Sequence, residues 1–175
     1  MLKAIRAAHP QQVPDEIRAL YAQAFPKEEQ IPWDDLLRLM EEMPLLVTAY
    51  YDGETFVGFT VVYPRQHANW FWYFAVVPTL RGKGYGQQIL TGLLAEYEGQ
   101  TLVLDIESPE QPSDNREQRR RRHAFYLRNG FRDTHVGKTY DNIAYTILTN
   151  SDEPFTMTHY EALLSDLWRF WQPER

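Results

Sequence analysis

The sequence predicts an α+β domain, a mixed α/β fold built on one central sheet flanked by helices. Three strand patterns, at residues 45–51, 55–63 and 69–77, are joined by short stretches containing Gly, Asp and Pro, so these neighbouring strands run antiparallel. A glycine-rich loop and a helix then connect the strand at 69–77 to another at 101–107, and a connection of that length joins parallel strands. The predicted sheet is therefore mixed, antiparallel first and parallel in the middle.

The elements before the three hairpin strands are one strand and two helices. Residues 2–7 fit a first strand, and residues 13–25 and 31–43 have the apolar spacing of helices. Pro14 and Pro32 suit the first helical position, where a missing N–H costs no hydrogen bond. These two helices are expected to flank the sheet.

The elements after the glycine-rich loop complete the sheet. A helix is predicted from about Gly86 to Glu98, and an arginine-rich helix ends at Asn129, with Gly130 as its left-handed stop. Two closing strands follow, at residues 131–140 and 142–149.

Residues 151–175 predict an extra C-terminal helix. One side of this helix carries Tyr160, Leu163, Leu164, Leu167, Trp168 and Trp171. We expect that side to cover the core of the same domain, although contact with a second copy in a homodimer stays open. The predicted organisation is one domain over residues 1–150 and a helical extension over 151–175 packed on it.

Length and composition exclude several classes of protein. The 175 residues fit one domain, and 43% hydrophobic with 24% charged residues is typical of a soluble globular chain. The sequence has no apolar run near the ~20 residues that cross a bilayer and no secretion signal, so we expect a cytoplasmic protein without a membrane partner. The absence of cysteine excludes disulfides and cysteine nucleophiles. A net charge of −6 argues against a general nucleic-acid partner.

The segment "AVVPTLRGKGYGQQIL", residues 75–90, has the features of an anion-binding loop. A glycine-rich turn that opens a helix leaves backbone N–H groups without partners at the positive end of the helix dipole. Glycine at 82, 84 and 86 lets a ligand approach those amides, and Arg81 and Lys83 add positive charge. Phosphate is the natural ligand of such a loop.

Two other phosphate loops fit less well. The nucleoside-triphosphate pattern GxxxxGK[ST] is absent. The dinucleotide-binding pattern matches in part: Gly84 and Gly86 occupy its first two glycine positions, and Asp105 lies near the expected spacing for its acidic residue. Its third glycine position is occupied by Ile89. A dinucleotide-binding protein is therefore the weaker alternative, as is a glycine turn with no ligand.

These residues resemble the acyl-CoA pyrophosphate loop of the GNAT superfamily of N-acyltransferases. The family pattern is V-x-P at a strand end, then R/Q-x-x-G-x-G/A, then a helix, and Arg81, Gly84 and Gly86 occupy its patterned positions. The segment "AFYLRNGF", residues 124–131, resembles a second family signature, in which a helix bearing a tyrosine ends at Gly-Phe. The order of elements also agrees from residue 2 to about 149.

The resemblance implies acetyl-CoA as cofactor and acetyl transfer to a primary amine by direct attack in a ternary complex. In the family the central strand and the next parallel strand splay apart, the pantetheine arm lies between them, and a strand amide polarises the acetyl carbonyl. The implied cofactor-binding residues are Phe74, Ala75, Val76, Arg81, Gly82, Lys83, Gly84, Tyr85, Gly86, Arg119 and Tyr126. A covalent acyl-enzyme has no support, because the chain lacks cysteine and a G-x-S-x-G elbow.

Two catalytic residues are predicted. Tyr126 matches the family's proton donor to the leaving thiolate, since a phenol with a pKa of ~10 stays protonated at neutral pH; it also fits the edge of a core. Strand alternation puts Asp105 and Glu107 on one side of their strand, and Glu107, nearer the strand end, is the candidate base. A carboxylate that only binds substrate or water fits Glu107 equally.

The run "REQRRRRH" fits a solvated helix face, a cofactor-phosphate contact or a nucleic-acid patch. Its consecutive arginines point in different directions, so most are expected to be solvated. Arg119 is the candidate for cofactor contact because Asn115, Arg119, Arg122 and Tyr126 share one helix stripe. The chain departs from the family here, where asparagine often stands seven residues before the tyrosine.

The acceptor is expected to be a small-molecule or peptide amine. Aromatic residues Tyr63, Trp70, Trp72 and Tyr73 fit either an acceptor pocket or a core, and acidic residues Glu28, Glu29, Asp34 and Asp35 fit either a cation-attracting site or a solvated surface. The five histidines show no metal-ligand spacing, so no metal is predicted. A noncatalytic acyl-CoA-binding or regulatory module of the same fold is the alternative to an enzyme.

Overall fold

The protein is built on one seven-stranded sheet with the strand order β1-β2-β3-β4-β5-β7-β6. The computed structural model describes residues 1–171, apart from the side chains of Glu28, Asp166, Phe170 and Trp171. The strands are β1 (Lys3–Ala7), β2 (Leu46–Asp52), β3 (Thr55–Tyr63), β4 (Asn69–Val76), β5 (Leu102–Glu107), β6 (Arg132–Tyr140) and β7 (Ile143–Thr149). The helices are α1 (Asp15–Ala24), α2 (Trp33–Glu42), α3 (Tyr85–Glu96), α4 (Arg116–Arg128) and α5 (Met157–Trp171).

Helices cover both faces of the sheet. One core cluster joins α1, α2 and α5 to residues from β2, β3, β4, β5 and β7. The other main cluster joins α3 and α4 to the opposite face of the same sheet. Strand alternation explains the division, since Val103 belongs to the first cluster while Leu102 and Leu104 belong to the second.

The parallel pair in the middle of the sheet is very short. β4 and β5 pair only through Asn69 with Leu102 and Trp70 with Val103, while every other neighbouring pair of strands is antiparallel. Beyond Trp70 and Val103 the two strands have no ladder, so a gap opens between residues 71–76 and 104–107. The predicted mixed sheet with a splayed parallel central pair is confirmed.

A β-bulge lies where the gap begins. Tyr73 is opposite Val61 and Phe71 is opposite Val62, so Trp72 is an extra residue on β4. A bulge re-aims the side chains beside it and bends the strand. In β4 it places Trp70 and Tyr73, three residues apart, in the same core cluster.

The helix boundaries differ slightly from those expected from the sequence. Pro14 and Pro32 are the N-cap residues of α1 and α2, one position before the first helical residue. The helix after the glycine loop begins at Tyr85 and ends at Glu96, so both of its ends are earlier than the sequence pattern suggested. Gly130, with φ of 95°, is in the left-handed conformation expected for a helix stop.

The extra helix α5 packs with its apolar side inward. Tyr160, Leu163, Leu164 and Leu167 are buried in the cluster shared with α1 and α2, while Trp168 is 48% exposed. The side chain of Trp171 and residues 172–175 lie outside the described part of the chain. Among the described residues, no helix is both long and apolar enough to cross a membrane.

Candidate active site

The glycine-rich loop follows β4 and leads into α3. A short 3-10 turn, Pro78–Leu80, comes first, and Gly84 is the N-cap of α3. Gly82 and Gly84 have φ of 80° and 84°, a conformation that other residues adopt only with strain. A Cβ atom at either position would meet nothing within 4 Å, so the requirement for glycine comes from the backbone conformation.

The loop presents backbone N–H groups without partners. Along residues 82–87, no N–H group donates a hydrogen bond to any described residue. Arg81 and Lys83 are exposed, and no carboxylate of the described chain lies within 4 Å of either. The Tyr85 hydroxyl donates a hydrogen bond of 2.6 Å to Asp52, which ties the loop to the β2–β3 turn. This combination suits a diphosphate.

Gly86 lies in the first turn of α3, where the helix approaches α4. A Cβ atom on Gly86 would lie 3.5 Å from the ring of Phe125 and 3.7 Å from Val76, which is ordinary contact. A side chain at Gly86 would therefore contact β4 and α4 at the place where they meet α3.

The C-terminal half of β4 borders the gap. Val77 N donates to Val57 O on β3, so alternation directs the backbone of Ala75 toward β3 as well. The N–H and C=O groups of Phe74 and Val76 point the other way, toward the gap. Two of the three predicted strand residues, Phe74 and Val76, thus offer backbone groups to a ligand, and Ala75 does not.

A cavity of about 600 Å³ lies beside the gap. Part of its wall is the gap itself, formed by Phe71 and Phe74 on β4, Leu104 and Ile106 on β5, and Tyr126 on α4. The rest of its wall comes from other residues of β4, β5 and α4, from the α1–α2 connection, the β6–β7 hairpin and α5. The cavity therefore leads from the splayed strands to an outer chamber on the α5 side of the sheet.

Tyr126 lies on α4 at the inner part of this cavity and is almost fully buried. Burial raises the pKa of its phenol, while the charge of Arg122 and its hydrogen bond with that phenol act in the opposite direction. The group therefore keeps its proton at neutral pH. Tyr126 also belongs to the same apolar cluster as Phe71 and Leu104, as the core interpretation expected. Its role as a proton donor stays a prediction.

Glu107 and Arg119 form a buried ion pair. Arg119 Nη2 lies 2.6 Å from Glu107 Oε2, and the two side chains are 8% and 10% exposed. Asn115 donates a longer bond of 3.4 Å to the same oxygen, and Arg119 Nη1 donates to Gln111 at 3.2 Å. The two residues for which the sequence suggested separate roles thus bind each other at the end of β5.

The predicted aromatic residues divide into two groups. Trp70, Trp72 and Tyr73 line the cavity. Tyr63 does not line it; its ring is buried in the core and its hydroxyl accepts a hydrogen bond from Arg65 at 3.0 Å.

Of the predicted acidic residues whose side chains are described, Glu29 is the one in the cavity wall. Asp34 is exposed, Asp35 lies 3.8 Å from Arg38 on the same helix, and the side chain of Glu28 is outside the described ones. The described residues contain no group of three His, Cys, Asp or Glu side chains that could hold a metal ion.

The pKa of Glu29 is raised to about 7. Burial is the largest cause, and the negative charges of Glu107 and Asp105 act in the same direction. Arg122 and a hydrogen bond from the Tyr145 hydroxyl, at 3.3 Å, oppose the shift. The carboxyl therefore changes its charge within the physiological range, as catalytic acids and bases commonly do.

Several residues of the outer chamber were not suggested by the sequence. Lys138, Tyr140, Tyr145, Tyr160 and Trp168 line it together with Glu29. They come from the closing hairpin and α5, far from Glu29 in sequence, and no local pattern marks them. The exception is the aromatic stripe of α5, which identified the buried side of that helix but not the cavity beneath it.

Comparison with known proteins agrees with this architecture. Residues 14–131 match the model of the acetyltransferase (GNAT) family. The chain belongs to this family of acetyltransferases. Compared with curated proteins, the sequence gives no significant match.

The fold is similar to three solved acetyltransferase structures. A GNAT-family protein from Bacteroides thetaiotaomicron has 22% identity, 96% of each chain covered and a TM-score of 0.75. A GNAT acetyltransferase from Elizabethkingia anophelis, solved with acetyl-CoA bound, has 14% identity, with 85% of this chain and 96% of that chain covered and a TM-score of 0.57. An N-acetyltransferase from Lactobacillus plantarum has 18% identity, 85% and 96% coverage and a TM-score of 0.59.

Proposed function

We propose that the protein transfers an acetyl group from acetyl-CoA to a primary amine by direct attack in a ternary complex. The observation that carries this proposal is the loop of unpartnered N–H groups at the end of a strand whose other edge borders a gap. A diphosphate on the loop and a pantetheine arm along β4 would use both features. We also propose, as expected from the sequence, that it acts in the cytoplasm on a small-molecule or peptide amine.

The residues that would hold acetyl-CoA are those of the loop, with Arg81 and Lys83 beside the diphosphate, and the inner edge of β4. Acetyl-CoA supplies an activated thioester when bound. Phe74 and Val76 have N–H groups facing the gap, and an N–H group aimed at the thioester oxygen stabilises the charge that develops there. Tyr126, kept protonated, would donate a proton to the sulfur.

A first experiment separates binding from turnover. Titration calorimetry with CoA tests the loop, and release of free thiol from acetyl-CoA with a panel of amines tests transfer. Binding together with amine-dependent thiol release would support the proposal. Binding without turnover would favour the noncatalytic acyl-CoA-binding module, and a preference for a nicotinamide dinucleotide would favour the dinucleotide-binding alternative.

A second experiment addresses Tyr126. Tyr126→Phe should lower kcat about 100-fold with little change in affinity for CoA, because a proton donor is lost while packing is kept. Tyr63→Phe is the matched control, since it removes another buried hydroxyl away from the cavity. Equal rates for Tyr126→Phe and the wild type would leave Tyr126 with a packing role alone.

A further inference from the structure

Glu29 and Asp105 line the inner side of the outer chamber, and Glu107 acts on Glu29 through its charge from the end of β5. Asp105 and Glu107 each have a cationic partner. Glu107 pairs with Arg119 at 2.6 Å. Asp105 lies 3.3 Å from Lys138 Nζ and accepts a hydrogen bond of 2.7 Å from the Tyr160 hydroxyl.

Glu29 is different, since no cation of the described chain lies within 4 Å of its carboxylate. The Glu29 carboxylate is therefore available to pair with the ammonium group of a ligand.

The main chain of Glu29 is held firmly against β4. Its carbonyl accepts a hydrogen bond of 2.7 Å from the Tyr73 hydroxyl, and its N–H donates to Pro26 O at 3.0 Å. The Tyr73 ring in turn packs against Tyr21 and Phe25. These contacts fix Glu29 beside Tyr73 on β4. Phe74, the residue after Tyr73, borders the gap.

The charged groups around Glu29 come from several elements. Arg122 on α4 favours its ionised form, and Asp105 and Glu107 on β5 oppose it. Tyr145 on β7 donates to its carboxylate. From α5, Tyr160 and Glu161 also line the chamber, and Glu161 is exposed. An ammonium that enters would relieve the repulsion among the carboxylates.

The walls of the chamber are largely apolar rings. Trp72 and Tyr73 stack with ring centroids 5.1 Å apart, and Tyr160 lies opposite on α5. Two large rings that line the chamber are also exposed, Tyr140 at 56% and Trp168 at 48%. Exposed apolar residues grouped around a cavity commonly mark a binding site for an apolar ligand.

We propose that the outer chamber binds a monoamine carried on an apolar or aromatic arm, and that the Glu29 carboxylate pairs with its ammonium and accepts its proton. This inference rests on the proposed function. It differs from the sequence-based choice of Glu107 as base, because Glu107 Oε2 is bound by Arg119 and Asn115 and Glu107 does not line the cavity. The arm lies between Trp72, Tyr140 and Trp168, and the nitrogen faces the gap.

The proton and bond changes balance as follows. The ammonium gives one proton to Glu29, and its nitrogen then forms a bond to the thioester carbon while the carbon–sulfur bond breaks. Tyr126 gives a proton to the departing sulfur. The second proton that the nitrogen loses replaces it on the Tyr126 oxygen. The products are an amide, a free thiol and one proton, which Glu29 returns to water.

The test compares Glu29→Gln, Glu107→Gln and, as an exposed control on α2, Glu41→Gln. With acetyl-CoA and 2-phenylethylamine, kcat/KM of the wild type should rise with pH to a plateau above an inflection near pH 7, where Glu29 ionises. Glu29→Gln should lower kcat/KM about 100-fold and abolish that inflection. Glu41→Gln should keep both. Propylamine, spermidine and glycinamide serve as competing acceptors.

Each outcome decides one question. Turnover of the wild type with an unchanged profile in Glu29→Gln, or an inflection lost only in Glu107→Gln, would overturn the assignment of Glu29. A preference for spermidine or glycinamide over 2-phenylethylamine would overturn the acceptor class. Absence of turnover with every amine, despite CoA binding, would overturn the proposed function itself and with it this inference.

Discussion

At the residue scale, the carboxyl of Glu29 links stability to pH. Its pKa rises from 4.5 to about 7 in the fold, so between these values the folded protein binds more protons than the unfolded chain. This group therefore lowers the free energy of unfolding by on the order of 1 to 3 kcal/mol as pH rises from about 4.5 to 7. Above that range its contribution no longer changes with pH. Glu29→Gln should lose this dependence and be more stable than the wild type at pH 8. Urea unfolding at pH 5 and pH 8 measures both effects, and equal slopes with pH in the two proteins would contradict the raised pKa.

The Glu107–Arg119 pair makes a second prediction at this scale. Removing either partner leaves a buried group uncompensated, so Glu107→Gln or Arg119→Gln should each cost about 3 kcal/mol or more. The double variant should lose much less than the sum, because neither charge is then left alone. Glu96→Gln, which breaks the exposed pair with Arg6 at 2.6 Å, should cost at most about 1 kcal/mol. Additive losses in a thermal-unfolding cycle would show that the two side chains do not interact.

At the element scale, the N-cap and the middle of α3 are glycines with opposite expectations. Gly84 needs φ of 84°, so Gly84→Ala should lower stability by about 1 kcal/mol and weaken CoA binding by distorting the loop. Gly92 lies in the middle of the same helix, with open space around it, so Gly92→Ala should raise stability by roughly 0.5 to 1 kcal/mol. Unfolding and calorimetry on the two variants compare them directly. Similar CoA affinity for Gly84→Ala and the wild type would count against the loop as the diphosphate site.

Local patterns were sufficient to predict most elements but not the contacts between them. The glycine loop and the parallel pair follow from patterns within one strand–loop–helix–strand segment, and the splay of that pair was implied by the resemblance to the GNAT family. The hydrogen bond between Tyr145 and Glu29 joins residues 116 positions apart, and the bulge at Trp72 depends on the register of β3 against β4. Strand alternation correctly suggested that Asp105 faces away from Leu104, but no spacing rule pairs it with Lys138. The inner part of the candidate site was therefore accessible from the sequence. Of the outer chamber, the sequence suggested Trp72, Tyr73 and Glu29 as alternatives but not the residues of β6, β7 and α5 that face them.

At the scale of the whole molecule, α5 both stabilises the core and forms a wall of the outer chamber. Leu164 is buried, so Leu164→Ala should cost about 2 to 5 kcal/mol. Trp168 is half exposed at the chamber, so Trp168→Ala should change stability little and should raise KM for amines with aromatic arms several-fold. Melting temperatures and KM values for 2-phenylethylamine and propylamine separate the two effects. An unchanged KM in Trp168→Ala would remove this ring from the acceptor site.

Because α5 follows the other described elements in the sequence, the two parts of the cavity depend on different lengths of chain. The part that we propose for the coenzyme, from β4 through α4, precedes α5. A nascent chain or a proteolytic fragment that stopped there would keep a surface for the nucleotide end of the coenzyme while leaving the thioester open to water on the other side. On our proposal, selectivity for an acceptor and protection of the acyl group from hydrolysis would arrive only with α5.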